Sequence, residues 1–199
     1  MGITVERFEQ GLTYDQFKAQ MTRNQERFEA NERLVTFDPE DLATFKALPQ
    51  RLNVLVLAED WCGDVIDNLP VLGRLATESG KLNVRIFLRD QNLDIMDQYL
   101  KDGQFRSIPV FVVFDHQLKE LGHFIERPES VTQRRDALRR TVATQHPELG
   151  SPETPITQLP EEARAKLTEL MAEGRAAMKP EDNRDVVRAL RSIVEPVVA

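Results

Sequence analysis

The feature that most constrains this chain is Leu52–Ala58 (LNVLVLA), an almost unbroken run of branched apolar side chains. A strand with water on one face alternates polar and apolar residues, whereas a run without alternation needs apolar cover on both faces. Such a segment belongs in the middle of a sheet with helices on either side, and the flanking sequence supplies them. Residues 62–79 carry a helical pattern that stops at Ser79-Gly80. Leu82–Leu88 (LNVRIFL) is a second strand and Leu93–Lys101 a helix stopped by Asp102-Gly103. Pro109–Phe114 (PVFVVF) is a third strand, with its proline at the first position, where the ladder tolerates one. A short turn through Asp115–Leu118 leads to Glu120–Glu126, the antiparallel hairpin partner, and Arg127-Pro128-Glu129 opens a long helix to about Gln145. The succession strand, helix, strand, helix, strand, strand, helix predicts an α/β fold, a three-layer α/β/α arrangement around a central mixed sheet.

Helical extensions flank this body. Residues 13–31 predict one exposed helix, started by a capping box between Thr13 and Gln16, and Phe8, Phe17 and Phe28 form a docking stripe or, alternatively, contact a partner. Leu34–Phe37 is a candidate short strand. Asp38-Pro39-Glu40-Asp41 then starts a helix that runs to about Leu48: a capping carboxylate, a proline in the first turn, and acids at the positive end of the dipole. Beyond the body, His146–Pro160 contains Pro147, Pro152, Pro155 and Pro160 and reads as a stiff, extended connector. Two helices, about 161–178 and 181–195, follow on either side of Lys179-Pro180. Their apolar stripes, Leu167, Leu170, Met171 and Val187, Leu190, Val194, pack on the body or dimerise with a second copy. The expected organisation is an N-terminal helical extension (1–32), the α/β domain (33–145), the Pro-rich connector (146–160) and a C-terminal helical extension (161–199).

Composition excludes several functions. The chain has 199 residues and a formal charge of −7, from 33 acidic and 26 basic residues. That balance argues against nucleic acid as a partner, and the Arg134-Arg135 and Arg139-Arg140 cluster reads as a solvated helix face. Cys62 is the only cysteine, so there is no intramolecular disulfide, no cysteine-rich zinc site and no self-contained dithiol pair. His116, His123 and His146 lack metal-ligand spacing, and neither a metal nor a bound cofactor is expected. The longest uncharged apolar stretches, Val54–Ala58 and Val110–Phe114, fall far short of the about 20 residues of a membrane span. The start, MGITVERFEQ, lacks the apolar core of a signal peptide, and Glu6 breaks a myristoylation pattern after Gly2. A cytoplasmic location is the expectation.

The chemistry-bearing segment is Glu59-Asp60-Trp61-Cys62-Gly63-Asp64-Val65, between a buried strand and a helix. A cysteine at a helix amino end sits where backbone N–H groups and the dipole favour thiolate. Trp61 supplies a flat apolar wall, and Gly63 lets a partner chain approach closely. The stretch Val54–Asp64 (VLVLAEDWCGD) resembles the active-site strand and helix start of thioredoxins. Arg106-Ser107-Ile108-Pro109-Val110 is similar to the segment of that family that carries a cis-proline before a core strand, and Arg89-Asp90-Gln91-Asn92 is similar to the turn after its third strand. The ordered set spans residues 33–145 and resembles in particular bacterial members with a Trp-Cys-Gly-Asp-Cys site and an added amino-terminal helix.

What the resemblance implies is a thioredoxin-like fold in which Cys62 is the attacking thiol, exposed at the edge of the sheet, and Ile108-Pro109 is a cis peptide facing it. Backbone beside that proline would pair with an extended substrate, and Trp61 and Gly63 would line the groove. Two positions depart from the family pattern. Val65 stands where the second, resolving cysteine belongs, and Val56 replaces the buried acid that assists proton transfer from it. The activity implied is therefore monothiol: Cys62 attacks a disulfide of a protein or small molecule, and an external low-molecular-weight thiol such as glutathione releases the adduct. The motif lacks the Phe-Ser ending of cluster-carrying monothiol glutaredoxins, and no activating Thr/Arg pattern for peroxide chemistry surrounds Cys62. The alternative is a redox-inactive binding module that uses the same groove or the appended helices. Against a dipole contribution of roughly 0.3–1 kcal/mol, Glu59, Asp60 and Asp64 pull the other way, which predicts a thiol closer to ordinary than strongly activated.

Overall fold

A computed structural model describes residues 2–197, which divide into two compact units, residues 2–128 with 183–197, and residues 129–182. In the first unit the strands are β1 (Leu52–Ala58), β2 (Leu82–Leu88), β3 (Val110–Phe114) and β4 (Glu120–Ile125), in the order β2-β1-β3-β4. The apolar run becomes an interior strand, as its lack of alternation requires. β1 runs parallel to β2, from Leu52 opposite Leu82 to Ala58 opposite Leu88, and antiparallel to β3, with Leu57 opposite Val110. β4 completes the mixed sheet antiparallel to β3. The one polar residue inside the run, Asn53, receives a bond from Asn83 Nδ2 (2.9 Å) and donates to the Asp115 carbonyl (3.1 Å). The outer edge of β2 is covered by Leu12, which exchanges two 2.8 Å backbone bonds with Ile86 and so blocks further strand addition there.

Helices α1 (Val5–Glu9), α2 (Tyr14–Gln20), α3 (Gln25–Arg33), α4 (Pro39–Lys46), α5 (Gly63–Ser79) and α6 (Leu93–Met96) belong to this unit. Phe8, Phe17 and Phe28 are all buried in the core, as the docking stripe requires, together with Val186, Val187, Leu190 and Val194 near the carboxy terminus. Three local expectations need correction. The single helix over 13–31 is two helices broken at Met21–Asn24. The break arises because Asp60 Oδ2 accepts from the Thr22 amide (2.7 Å), the Thr22 hydroxyl (3.1 Å) and the Arg23 amide (3.0 Å), taking donors that a continuous helix would use internally. No strand forms over Leu34–Phe37, which stays irregular between α3 and α4. The helix from Leu93 ends at Met96 rather than Lys101, because Lys101 exchanges backbone bonds with Phe105 (2.8 and 2.9 Å).

α5 carries the site and contains Pro70 in its interior. A proline there has no N–H for the carbonyl four residues back, and its ring pushes that carbonyl aside. The orphan is Ile66, and Asn31 Nδ2 from α3 donates to it at 2.9 Å and to Asp67 Oδ1 at 3.2 Å. Arg27 adds a 2.8 Å bond to the same Asp67 oxygen. α3 is therefore docked where α5 is defective. The helix closes at Gly80, whose φ of 67° is left-handed and suits glycine.

The second unit consists of α7 (Glu129–Gln145), the connector, and the Glu161–Asp182 part of α8 (Glu161–Val194). Its own small core is Val142, Leu149, Leu159 and Leu167. The helices approach closely where a Cβ on Gly174 would lie 2.5 Å from Leu138. The connector is not extended: it forms 3-10 turns at Pro147–Leu149 and Ile156–Gln158 so that Leu149 and Leu159 reach that core. Nor do two helices flank Pro180. α8 is continuous through it, and just beyond lies the buried Asp182, which Arg134 holds from Nε (2.9 Å) and Nη2 (2.8 Å).

Candidate thiol site

The end of β1 turns through Glu59–Trp61 into α5, and Cys62 occupies the N-cap with extended backbone (φ −85°, ψ 121°). Its carbonyl accepts the first helical bond from the Ile66 amide at 3.1 Å. The Ile108–Pro109 peptide is cis. Across this gap Cys62 Sγ donates to the Ile108 carbonyl at 3.4 Å, so the sulfur and the cis-proline segment, 46 residues apart in sequence, are in contact. Ile108 and Pro109 are themselves buried, which leaves main chain rather than side chain at the contact. Trp61 is exposed (41%), and a side chain at Gly63 would meet open space. Cys62 is half-buried rather than exposed.

Electrostatics follow from that half-burial. The thiol is pushed above its ordinary value chiefly by desolvation; the amides of Val65 and Asp64 pull it down, and the charges of Asp64 and Glu126 push it further up. Sγ makes no well-formed capping hydrogen bond, and the pull of these amides is too weak to offset desolvation. The sequence predicts a near-ordinary thiol set by acidic neighbours; the thiol is instead raised, and the leading cause is burial. The acidic neighbours face other partners: Asp64 pairs with Arg127 at 2.5 Å, Asp60 binds the Thr22–Arg23 amides, and Glu59 accepts from the Asp90 amide at 2.9 Å. Glu59 is itself buried, and desolvation raises its carboxyl above the usual range. Glu126 goes the other way: burial opposes ionisation, but Lys101 (2.5 Å), Ser107 and Arg127 together hold it below the usual range.

Val65 and Val56 are both fully buried, and both face the hydrophobic core rather than solvent. Sequence reasoning missed Arg89, whose guanidinium stacks 4.8 Å from the Trp61 ring and bonds to the Arg106 carbonyl at 3.1 Å. It also missed the Arg127–Asp64 and Lys101–Glu126 pairs, since residues so distant along the chain carry no spacing signal. Among the described residues no cluster of His, Cys, Asp and Glu is arranged to hold a metal, and no helix is long and apolar enough to cross a membrane.

A central strand feeding a cysteine-capped helix, opposite a cis-proline that starts an antiparallel strand, defines the thioredoxin-like class. The family model described as Thioredoxin matches residues 11–139, and the chain belongs to the thioredoxin family. The match begins just before α2, so the amino-terminal helices α2 and α3 fall within the family's own span. No curated protein matches the chain. Among solved structures it is similar to PA1234, a protein of unknown function from Pseudomonas aeruginosa, with 17% identity over 98% of each chain and a TM-score of 0.68. It is also similar to an HIV epitope-scaffold, with 16% identity over 95% of each chain and a TM-score of 0.63. Identities this low speak for the fold alone.

Proposed function

We propose that this protein is a monothiol thiol–disulfide oxidoreductase in which Val65 replaces the resolving cysteine. The observation that carries the reading is the 3.4 Å contact between Cys62 Sγ and the Ile108 carbonyl across a cis prolyl bond. A sulfur so placed stands beside main chain, which an extended polypeptide can join by strand-like bonds. Cys62 loses its proton to solvent, and the thiolate attacks one sulfur of a substrate disulfide R–S–S–R′. The Cys62–S–S–R bond forms, the R–S–S–R′ bond breaks, and R′–S⁻ leaves with the electron pair. A second thiolate, from a low-molecular-weight thiol such as glutathione, then attacks the R sulfur of the adduct and restores Cys62 thiolate. The substrate disulfide is exchanged, and Cys62 ends as it began. Trp61 lines the approach, Gly63 leaves room for the partner's main chain, and no cofactor enters. This cycle belongs in a reducing compartment rich in such thiols.

One observation favours the second reading, a redox-inactive binding module: burial holds the Cys62 thiol above its ordinary value, so little thiolate is present at neutral pH. Intact-mass measurement after incubation with oxidised glutathione separates the two. One glutathione per chain, absent in Cys62→Ser and removed by excess thiol, supports exchange. An unchanged mass after prolonged incubation at pH 9 refutes exchange and leaves the binding module.

A further inference from the structure

Three segments distant in sequence meet at Arg89, the first residue after β2. Its guanidinium carbon lies 4.8 Å from the centroid of the Trp61 ring, its Nη1 donates to the Arg106 carbonyl at 3.1 Å, and its Nε and Nη2 donate to Asp90 Oδ1 at 2.9 and 2.7 Å. The amide of Asp90 is in turn held by Glu59 Oε1 at 2.9 Å. The clasp is reciprocal. The end of β1 holds the turn after β2 through Glu59, and that turn holds the motif back through Arg89 on Trp61. The third segment is the approach to the cis bond, since Arg106 lies two residues before Ile108. Arg106 is anchored separately, by Nε and Nη2 on the two carboxylate oxygens of Asp97 at 2.7 and 2.9 Å.

Trp61 needs such support. It is exposed, so the hydrophobic effect alone does not fix its rotamer, and a mobile indole beside a thiol is a poor wall for a substrate. A guanidinium offers both a flat face for an indole and N–H groups at its rim for a carbonyl, and a lysine ammonium offers neither a plane nor a fork. Because Asp90 neutralises Arg89 locally, the residue is poorly suited to capturing an anionic ligand and well suited to holding neighbours in place.

We infer that Arg89 is a positioning residue of the thiol site, holding Trp61 and the main chain that leads into Ile108–Pro109 in one arrangement. The inference rests on the reading of Cys62 as a disulfide-exchanging thiol. A small reagent needs only Sγ, whereas a peptide needs both walls at once. Misplacing a wall therefore slows the peptide reaction selectively.

The test uses Arg89→Met and Arg89→Lys in the full chain, with folding verified by circular dichroism and melting. Trp61 is the only tryptophan, so its fluorescence reports the clasp directly. In Arg89→Met, acrylamide quenching of Trp61 rises, and exchange with a disulfide-linked model peptide slows about tenfold, while iodoacetamide alkylation of Cys62 across the pH range stays within about twofold. Arg89→Lys keeps the charge and behaves like Arg89→Met; it carries the comparison if Arg89→Met fails to fold. Unchanged quenching and an unchanged peptide rate overturn the inference. So does an equal slowing of alkylation and peptide exchange, which makes Arg89 a modifier of the thiol itself, or a lysine variant indistinguishable from wild type. If the wild-type protein exchanges with no disulfide at all, the proposed function falls, while the quenching comparison still decides whether Arg89 holds Trp61.

Discussion

Asn31 should be worth more than an ordinary surface asparagine, and only because of Pro70. The proline deprives the Ile66 carbonyl of its helical donor, and Asn31 Nδ2 replaces that donor at 2.9 Å. Asn31→Ala leaves a carbonyl at a fully buried residue without its side-chain donor, which destabilises by about 1–3 kcal/mol. The second contact of Asn31, to Asp67 Oδ1 at 3.2 Å, adds little, since Arg27 still serves that oxygen at 2.8 Å. In a Pro70→Ala background the new residue 70 amide can bond Ile66 in the regular helical way, and the same Asn31→Ala change falls to about 0.5–1 kcal/mol. The expected coupling is therefore about 1–2 kcal/mol, read from a double-mutant cycle of urea denaturation midpoints with shared slopes. Additivity of the two changes within about 0.5 kcal/mol would refute the reasoning, because it would mean that Asn31 is not substituting for the missing backbone donor.

Val65→Cys places a second sulfur one turn from Cys62, and mild oxidation should then yield an internal disulfide in place of a glutathione adduct, seen as a two-hydrogen mass loss; a persistent glutathione adduct would contradict it. Arg134→Met strands the buried Asp182, and the loss of stability is about 3 kcal/mol, at the lower end for a broken buried pair because Arg135 and Lys179 still act on the carboxylate. The double variant Arg134→Met/Asp182→Leu should recover most of that in the same denaturation assay. Asp60→Ala frees the Thr22 and Arg23 amides, and tryptic cleavage at Arg23 should accelerate several-fold over wild type in a timed digest. Alkylation of Cys62 should show a midpoint above that of free cysteine in the same buffer, and raising the salt should hardly move it, since burial rather than exposed charge sets it. Because the folded-state value is the raised one, Cys62 favours folding below the unfolded thiol's pKa and loses that contribution as pH climbs through the folded value, a loss that Cys62→Ser should remove.

What was legible in the sequence is what local chemistry decides. The unbroken Leu52–Ala58 run needed cover on two faces, the Thr13–Gln16 box marked a helix start, and the order of motif and proline placed Cys62 opposite Ile108–Pro109. Where the sequence misled, a distant group had intervened. Nothing near Thr22 announces that Asp60 will take its amide and split a helix. Four prolines argued for an extended connector, yet Leu149 and Leu159 gain enough from burial to fold it into turns. Pro180 is a helix breaker by its own chemistry, yet α8 runs through it, beside an Asp182 carboxylate held by Arg134 from 48 residues earlier in the chain. The same holds at the site: Cys62, Trp61 and Pro109 stand out in the sequence, whereas Arg89 matters only because a fold brings Trp61 beneath it.

The two valines explain each other through the core. Val56 points inward from β1 and Val65 from the first turn of α5, and both are fully buried. An acid at position 56 without a thiol at 65 would be a buried carboxyl with no proton to accept, and a strongly unfavourable one. With valine at both positions, both side chains lie in the buried apolar cluster. With an apolar interior behind it and the nearby carboxylates paired with Arg127, the Thr22–Arg23 amides and the Asp90 amide, the thiol is raised chiefly by desolvation, to which the charges of Asp64 and Glu126 add. The amides of Val65 and Asp64 at the helix start oppose that rise without overcoming it. A thiol raised in this way carries little thiolate at neutral pH, so the exchange proposed for Cys62 would depend on which partner reaches the sulfur rather than on a standing pool of thiolate.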